Sequence, residues 1–340
     1  MVNSDLCHEL LVESIKQELA YRGQADFEGW KETLRQKFLE LTGLVEIEKN
    51  ACPMQVCIEW EKDEGSYRLI RFTFESEIGE IVPCYLLVPK TGKEKYPVAI
   101  TLQGHTTGFH NSIGEIKYEG DRVDYPNDAY ALQAVENGYI ALAIEQRGMG
   151  ERKARRQDRE PSVNCRHASM VALLLGRTLL GERIWDVHKA IDALETFPEC
   201  DLDKIFITGH SGGGTMSFYA ACYDSRIKFS VPSCSFSPYK TSILDIAHCN
   251  CNYLPSAYRY FEMQDLSALL APRGLIVVAG KKDEIFPVGG VKQGFERARA
   301  IYERCQCEEN CRLVVTPKAH YWCKDVVWEH INEKVKRLGW

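Results

Sequence analysis

The sequence predicts an α/β fold in which a mostly parallel sheet is covered on both faces by helices. Three observations predict it. From residue 67 onward, short apolar strand-like runs alternate with segments of helical periodicity. One of those runs leads straight into Gly209-His210-Ser211-Gly212-Gly213 and then into an apolar helix. Three long stretches fit neither period and would leave the carboxyl ends of strands, where open α/β sheets place their sites.

Taken in order, residues 8–22 and 26–42 read as helices that precede this pattern. In the second, Phe27, Trp30, Leu34, Phe38 and Leu41 recur at helical spacing, and Gly43 is a natural stop. The expectation is a helical N-terminal extension over 1–60 and a catalytic domain over 61–340. Trp30 and Phe38 are candidates to bury against a second subunit and so to make a homo-oligomer. Residues 67–75 and 80–88 form a hairpin around Ile78-Gly79. Strands follow at 98–102, 140–144, 205–208, 229–232, 275–279 and 313–316. Helices are expected at 128–136, 183–196, 215–222, 294–304 and 326–338. The irregular segments are 108–127, 150–168 and 235–266, expected as pocket walls and lid.

Composition narrows the partners. A formal net charge of −6 over 340 residues leaves no basic footprint for nucleic acid. No apolar run is long enough to span a bilayer, so no membrane partner is expected. Residues 1–17 lack a basic stretch followed by an apolar core, so a cytoplasmic location is expected. The fourteen cysteines then read as reduced thiols. Neither Cys249 with Cys251, nor Cys305, Cys307 and Cys311 with Cys323, has C-x-x-C zinc spacing, so no metal and no organic cofactor is assigned.

The chemistry centres on Ser211. G-x-S-x-G is common in ordinary glycine turns, but between a strand and a helix it is a nucleophile elbow that lifts a serine hydroxyl clear of the sheet. A serine hydroxyl needs a base, and the base needs an orienting acid. The order serine, acid, histidine along the chain points to Asp283 beyond the strand at 275–279 and to His320 beyond the strand at 313–316. Glu284 is the rival acid and His330 the rival histidine, the latter set among helical neighbours. An oxyanion hole would use the Gly212 N–H and the backbone N–H of His105, in the loop after the strand at 98–102. The bland alternative is that His105 only caps that loop.

At these residues the chain resembles the α/β-hydrolase superfamily, nearest the acetyl xylan esterase and cephalosporin C deacetylase group and related dienelactone-hydrolase-like esterases. The resemblance runs over residues 65–340. It is carried by the elbow, by Asp283 and His320, and by a loop from Gln103 to Gly108 whose third residue is His105. Arg147-Gly148-Met149-Gly150, Arg183 with Asp186, Phe197-Pro198 with Asp201, and the stretch from Ala271-Pro272-Arg273 to Pro287 carry it further. The departures are Gln103 where the group has histidine, Gly212 where it has glutamine, and the long helical N-terminus. The resemblance implies an α/β-hydrolase fold and a cofactor-free serine carboxylic ester hydrolase. Its substrate would be a carbohydrate or small-molecule ester of acetate or another small acid. Tyr253, Tyr258 and Tyr260 would stack on a sugar or an aryl group, or simply pack. A serine peptidase or amidase of the same fold, and a non-catalytic binding protein on this scaffold, are the competing readings.

Overall fold

The structure, a computed structural model, describes residues 5–123, 125–153 and 164–340. The chain opens with α1 (Leu6–Ser14), α2 (Phe27–Thr42) and α3 (Leu44–Glu48), then β1 (Val56–Asp63), β2 (Tyr67–Glu77), β3 (Glu80–Pro89) and β4 (Tyr96–Leu102). Next come α4 (Tyr130–Glu136), β5 (Ile140–Ile144), α5 (Asn164–Leu174), α6 (Leu179–Ala193), β6 (Cys200–His210) and α7 (Gly212–Tyr223). The remainder is β7 (Ile227–Ser233), α8 (Ala257–Tyr260), α9 (Ser267–Leu270), β8 (Gly274–Gly280), α10 (Val288–Arg304), β9 (Cys311–Thr316) and α11 (Lys324–Arg337).

The described strands form one nine-stranded sheet in the order β1-β2-β3-β5-β4-β6-β7-β8-β9. β1, β2, β3 and β5 pair antiparallel; from β5 through β4 to β9 every pairing is parallel. Central strands covered on both faces should be apolar at every position rather than at alternate ones. β4, β5 and β8 are buried throughout, as that requires. One face carries α4 and α11, with Tyr130, Trp328 and Ile331 against Phe206 and Phe229. The other carries α2, α6, α7 and α10, with Trp30, Ile184, Phe218 and Phe295 in one continuous core. This is the α/β-hydrolase fold. Among the described residues no helix is long and apolar enough to cross a membrane.

Several expectations change. The first helix stops at Ser14, not 22. Beyond it the Glu18 and Leu19 N–H groups bond the carbonyls of Arg259 and Tyr260 at 3.1 and 2.6 Å, so tertiary bonds replace helical ones. α2 falls where its periodicity placed it, capped by Asp26 at the front and by Gly43 at φ 75° behind. Its apolar stripe does not await a second subunit, however. Trp30 and Phe38 are buried in this chain's own core, and Phe38 stacks on Tyr219 of α7 at 6.0 Å between centroids. β1, a mostly exposed edge strand with a bulge between Ile58 and Trp60, carried no clean alternation to read. α5 was also unforeseen. Of the expected wall segment 150–168, residues 154–163 lie outside the described part, as does residue 124 of segment 108–127.

Candidate active site

β6 runs into Ser211, and α7 starts at the next residue. Ser211 has φ 54° and ψ −123°, in the left-handed range that non-glycine residues avoid. The surroundings hold it there. Its N–H donates to the Ser233 carbonyl at 2.9 Å. The flanking glycines are needed because the turn is crowded: a Cβ at 209 would lie 2.5 Å from the Gly213 carbonyl carbon, and one at 213 would lie 2.6 Å from the Gln103 oxygen. The serine therefore stands at the N-terminus of a twelve-residue helix whose first amides have no intrahelical partner.

The loops after β8 and β9 supply the other two groups. They are stitched together by Lys281 N–H to Thr316 O at 2.8 Å and Lys282 N–H to Lys318 O at 2.9 Å. That brings His320 Nδ1 to 2.9 Å from Oδ2 of the buried Asp283. The other Asp283 oxygen accepts the N–H groups of Ile285 and Phe286 at 2.9 and 3.0 Å. Burial pushes this carboxyl up, but the bonds from His320 and the two amides outweigh it and hold it below the usual carboxylate value. An ionised Asp283 accepts the imidazole N–H and leaves Nε2 as the basic nitrogen. Glu284 is exposed, and His330 sits on α11 near Glu333, so neither rival takes part.

Ser211 and His320 line one cleft of about 240 Å³, together with Gly104, His105, Thr106, Tyr130, His210 and Trp322. In this conformation no Ser211–His320 hydrogen bond is formed; closing that link takes a rotation of the serine side chain or a shift of the histidine loop. The His105 amide, in the loop after β4, makes no hydrogen bond to the described residues, as an oxyanion donor should. That loop is tied down from behind. Gln103 donates to Glu145 at 2.9 Å, and Glu145 accepts the Phe109 amide at 3.3 Å. Burial pushes the Glu145 carboxyl up to about 7.

A model of the Abhydrolase family matches residues 4–228, more than half of the chain. The chain belongs to the Abhydrolase family. The match covers the Abhydrolase elbow and the loop after β4 and ends before Asp283 and His320, the latter of which shares the cleft with Ser211. A relative in Bacillus subtilis (strain 168), named "Putative hydrolase YtaP", is 26% identical over 246 residues, 71% of this chain and 79% of the relative. Among solved structures, one titled as a "putative acetyl xylan esterase" from Bacteroides fragilis NCTC 9343 superposes with a TM-score of 0.79 at 17% identity, covering 98% of this chain and 95% of that one. A glucuronoyl esterase from Solibacter usitatus gives 0.66 at 17%, covering 95% and 97%. Acetyl xylan esterase 1 from Thermoanaerobacterium sp. JW/SL YS485 gives 0.63 at 15%, covering 95% and 96%. At such identities the likeness is one of fold.

Within this Abhydrolase chain the other resemblance residues turn out to be scaffold. Arg147 grips Asp186 through two bonds of 2.9 Å each, and Arg183 donates to the Arg147 carbonyl at 3.0 and 2.6 Å. Sequence reasoning missed His210 and Trp322. His210 lies ring to ring with His320 at 4.8 Å, and burial, then the charge of His320, pushes it down to about 3, so it is neutral at neutral pH. Its place beside Ser211 in the elbow was the available signal. Trp322, two residues past His320, packs edge-on against Tyr130 at 4.8 Å and donates to Gln133 at 3.0 Å, closing the cleft floor. Tyr253 is exposed and Tyr258 bonds the Val12 carbonyl at 3.3 Å; neither tyrosine lines the cleft.

Proposed function

We propose that this protein is a serine esterase that removes acetyl or another small acyl group from a carbohydrate or small-molecule ester. The observation that carries the reading is Ser211, raised on a strained elbow, facing the cleft that also receives His320 with its buried Asp283 partner. The names of the structural neighbours, acetyl xylan and glucuronoyl esterases, favour an ester over an amide. The cleft, at about 240 Å³, lies below the volumes typical of drug-sized ligands, which favours a short acyl group.

In the reaction Ser211 Oγ attacks the ester carbonyl carbon while His320 Nε2 takes its proton. The Gly212 and His105 amides donate to the oxyanion of the tetrahedral intermediate. Asp283 fixes the imidazole tautomer and stabilises the imidazolium. His320 returns the proton to the leaving alkoxide, and the C–O bond breaks to give the acyl-serine. Water, deprotonated by His320, attacks that ester, and collapse releases the acid and restores Ser211.

Acetyl esters of an aryl alcohol and of simple sugars, followed by a series of longer acyl chains, test this reading. Wild type should turn over the acetates, fall off as the chain lengthens, and label with a fluorophosphonate. Ser211→Ala should do none of these; hydrolysis undiminished in that variant would refute the assignment.

A further inference from the structure

Beside the triad, four metal-ligating side chains from three separate segments converge. His105 comes from the loop after β4, Cys165 from the first turn of α5, and Cys249 and Cys251 from a turn within 235–266. The four ligand atoms all lie within 4.8 Å of one another. His105 Nε2 is 3.2 Å from Cys251 Sγ and 3.6 Å from Cys165 Sγ. Around a tetrahedral zinc, with Zn–S near 2.3 Å and Zn–N near 2.0 Å, neighbouring ligand atoms are separated by about 3.5–3.8 Å. The cluster has the size of such a shell.

Charge supplies a second, independent observation. Arg183 is only 2% exposed, yet among the described residues no carboxylate lies within ion-pair distance of it. Its neighbour Arg147 has three: Glu77, Glu182 and Asp186. Besides the neutral Arg147 carbonyl, the Arg183 guanidinium meets Cys165, with Nη2 3.2 Å from Sγ. A buried guanidinium without a counter-charge is strongly unfavourable. Thiolates provide one, and a metal ion is what keeps several adjacent thiols ionised together.

We propose that His105, Cys165, Cys249 and Cys251 bind one zinc ion that clamps the loop after β4, which lines the cleft, to the first turn of α5 and to the turn at 249–251. Binding exchanges the three thiol protons for the ion. Three thiolates and one divalent cation leave a single negative charge, and Arg183 balances it. Four protein ligands close the coordination sphere, so the ion is a structural clamp with no open position for substrate. Its leverage on the catalytic cleft comes through His105. With Nε2 on the metal the other nitrogen must carry the proton. That Nδ1 lies 3.1 Å from where a Cβ on residue 212 would sit, so the ring lies over the start of α7, and a side chain at 212 would require the imidazole to give by a few tenths of an ångström.

The test uses the full chain purified under reducing conditions. Metal analysis should find one equivalent of zinc. After chelation, added Co²⁺ should give the intense visible bands and the near-ultraviolet sulfur-to-metal charge transfer of tetrahedral thiolate cobalt. Chelation should also lower the melting temperature of wild type, and zinc should restore it. Cys251→Ser should lose the metal, whereas Cys305→Ser, in the other cysteine cluster, should keep it. If Cys251→Ser does not fold, His105→Gln, altered at an exposed ligand, should weaken cobalt binding and shift its spectrum. Three results would overturn the proposal: reduced wild type that takes up neither zinc nor cobalt, uptake indifferent to both ligand substitutions, or a disulfide joining Cys165 to Cys249 or Cys251 in protein that was never oxidised deliberately.

Discussion

At the scale of single residues the proposed chemistry rests on the pairing of Asp283 with His320. Asp283 is buried and ionised because three donors face it, and His320 takes its orientation from that charge. Asp283→Asn keeps the shape but offers an amide where the imidazole N–H needs an acceptor. The wrong tautomer should then cost about 10⁴-fold in kcat, measured on an acetyl ester at neutral pH. A loss of less than about tenfold would mean that another group orients His320. His210 gives a pH prediction of definite sign. Its folded pKa, about 3, lies below the unfolded value near 6.5. The native state therefore binds fewer protons than the unfolded chain between those limits. The stabilising contribution of neutral His210 is complete above about pH 6.5 and is lost as pH falls toward 3. The stability difference between wild type and His210→Gln, from urea unfolding, should shrink steadily over that window. A difference that stays flat would place a charged imidazole in the native state.

Elements show why some of this was legible in the chain and some was not. The elbow's letters are contiguous, so five of them suffice to recognise it, although Leu102 and Ser233 on neighbouring strands and Gln103 just past β4 supply the crowding and the bond that hold it. The pairing of Asp283 with His320 could be anticipated because strand ends in a parallel sheet all point to one rim, which makes chain order a proxy for space. The Cys165–Cys249–Cys251–His105 group offers no such proxy. Its members come from two loops and the start of a helix, and Cys251 and His105 are 146 positions apart in sequence, so a template of zinc-ribbon spacing could not bring them together. α2 was legible as a helix but its destination was not, since an apolar stripe does not say whose core it will enter. The structure assigns it to this chain. Phe38, 1% exposed and stacked on Tyr219, should cost about 3–5 kcal/mol when replaced by alanine, read by urea unfolding at unchanged m-value. The same variant should leave the mass in solution unchanged; a loss of mass with little loss of stability would restore the subunit-contact reading.

For the whole molecule the question is whether the N-terminal helices are an accessory to the hydrolase or a wall of it. Their bonds reach elements far along the chain. Thr178, which caps α6, donates to the Thr42 carbonyl at 2.7 Å, and the Tyr21 amide bonds the buried Asp265 at 2.9 Å. Trp30, Leu34 and Phe38 belong to the same apolar cluster as Phe218 and Tyr219 on α7, the helix whose N-terminus holds Ser211 in its strained conformation. Strain at an elbow persists only where packing over-determines it. Removing residues 1–50 strips α1, α2 and α3 and opens a large apolar face beneath α7. The truncated chain should therefore melt many degrees lower or fail to stay soluble, and any folded fraction should label more slowly with a fluorophosphonate than wild type does. Circular dichroism melts and labelling rates at matched folded concentration separate the two effects. A truncated protein with the wild-type melting temperature and labelling rate would show that the sheet and its remaining helices hold the elbow unaided. That result would also leave the burial of Trp30 and Phe38 without consequence for the site.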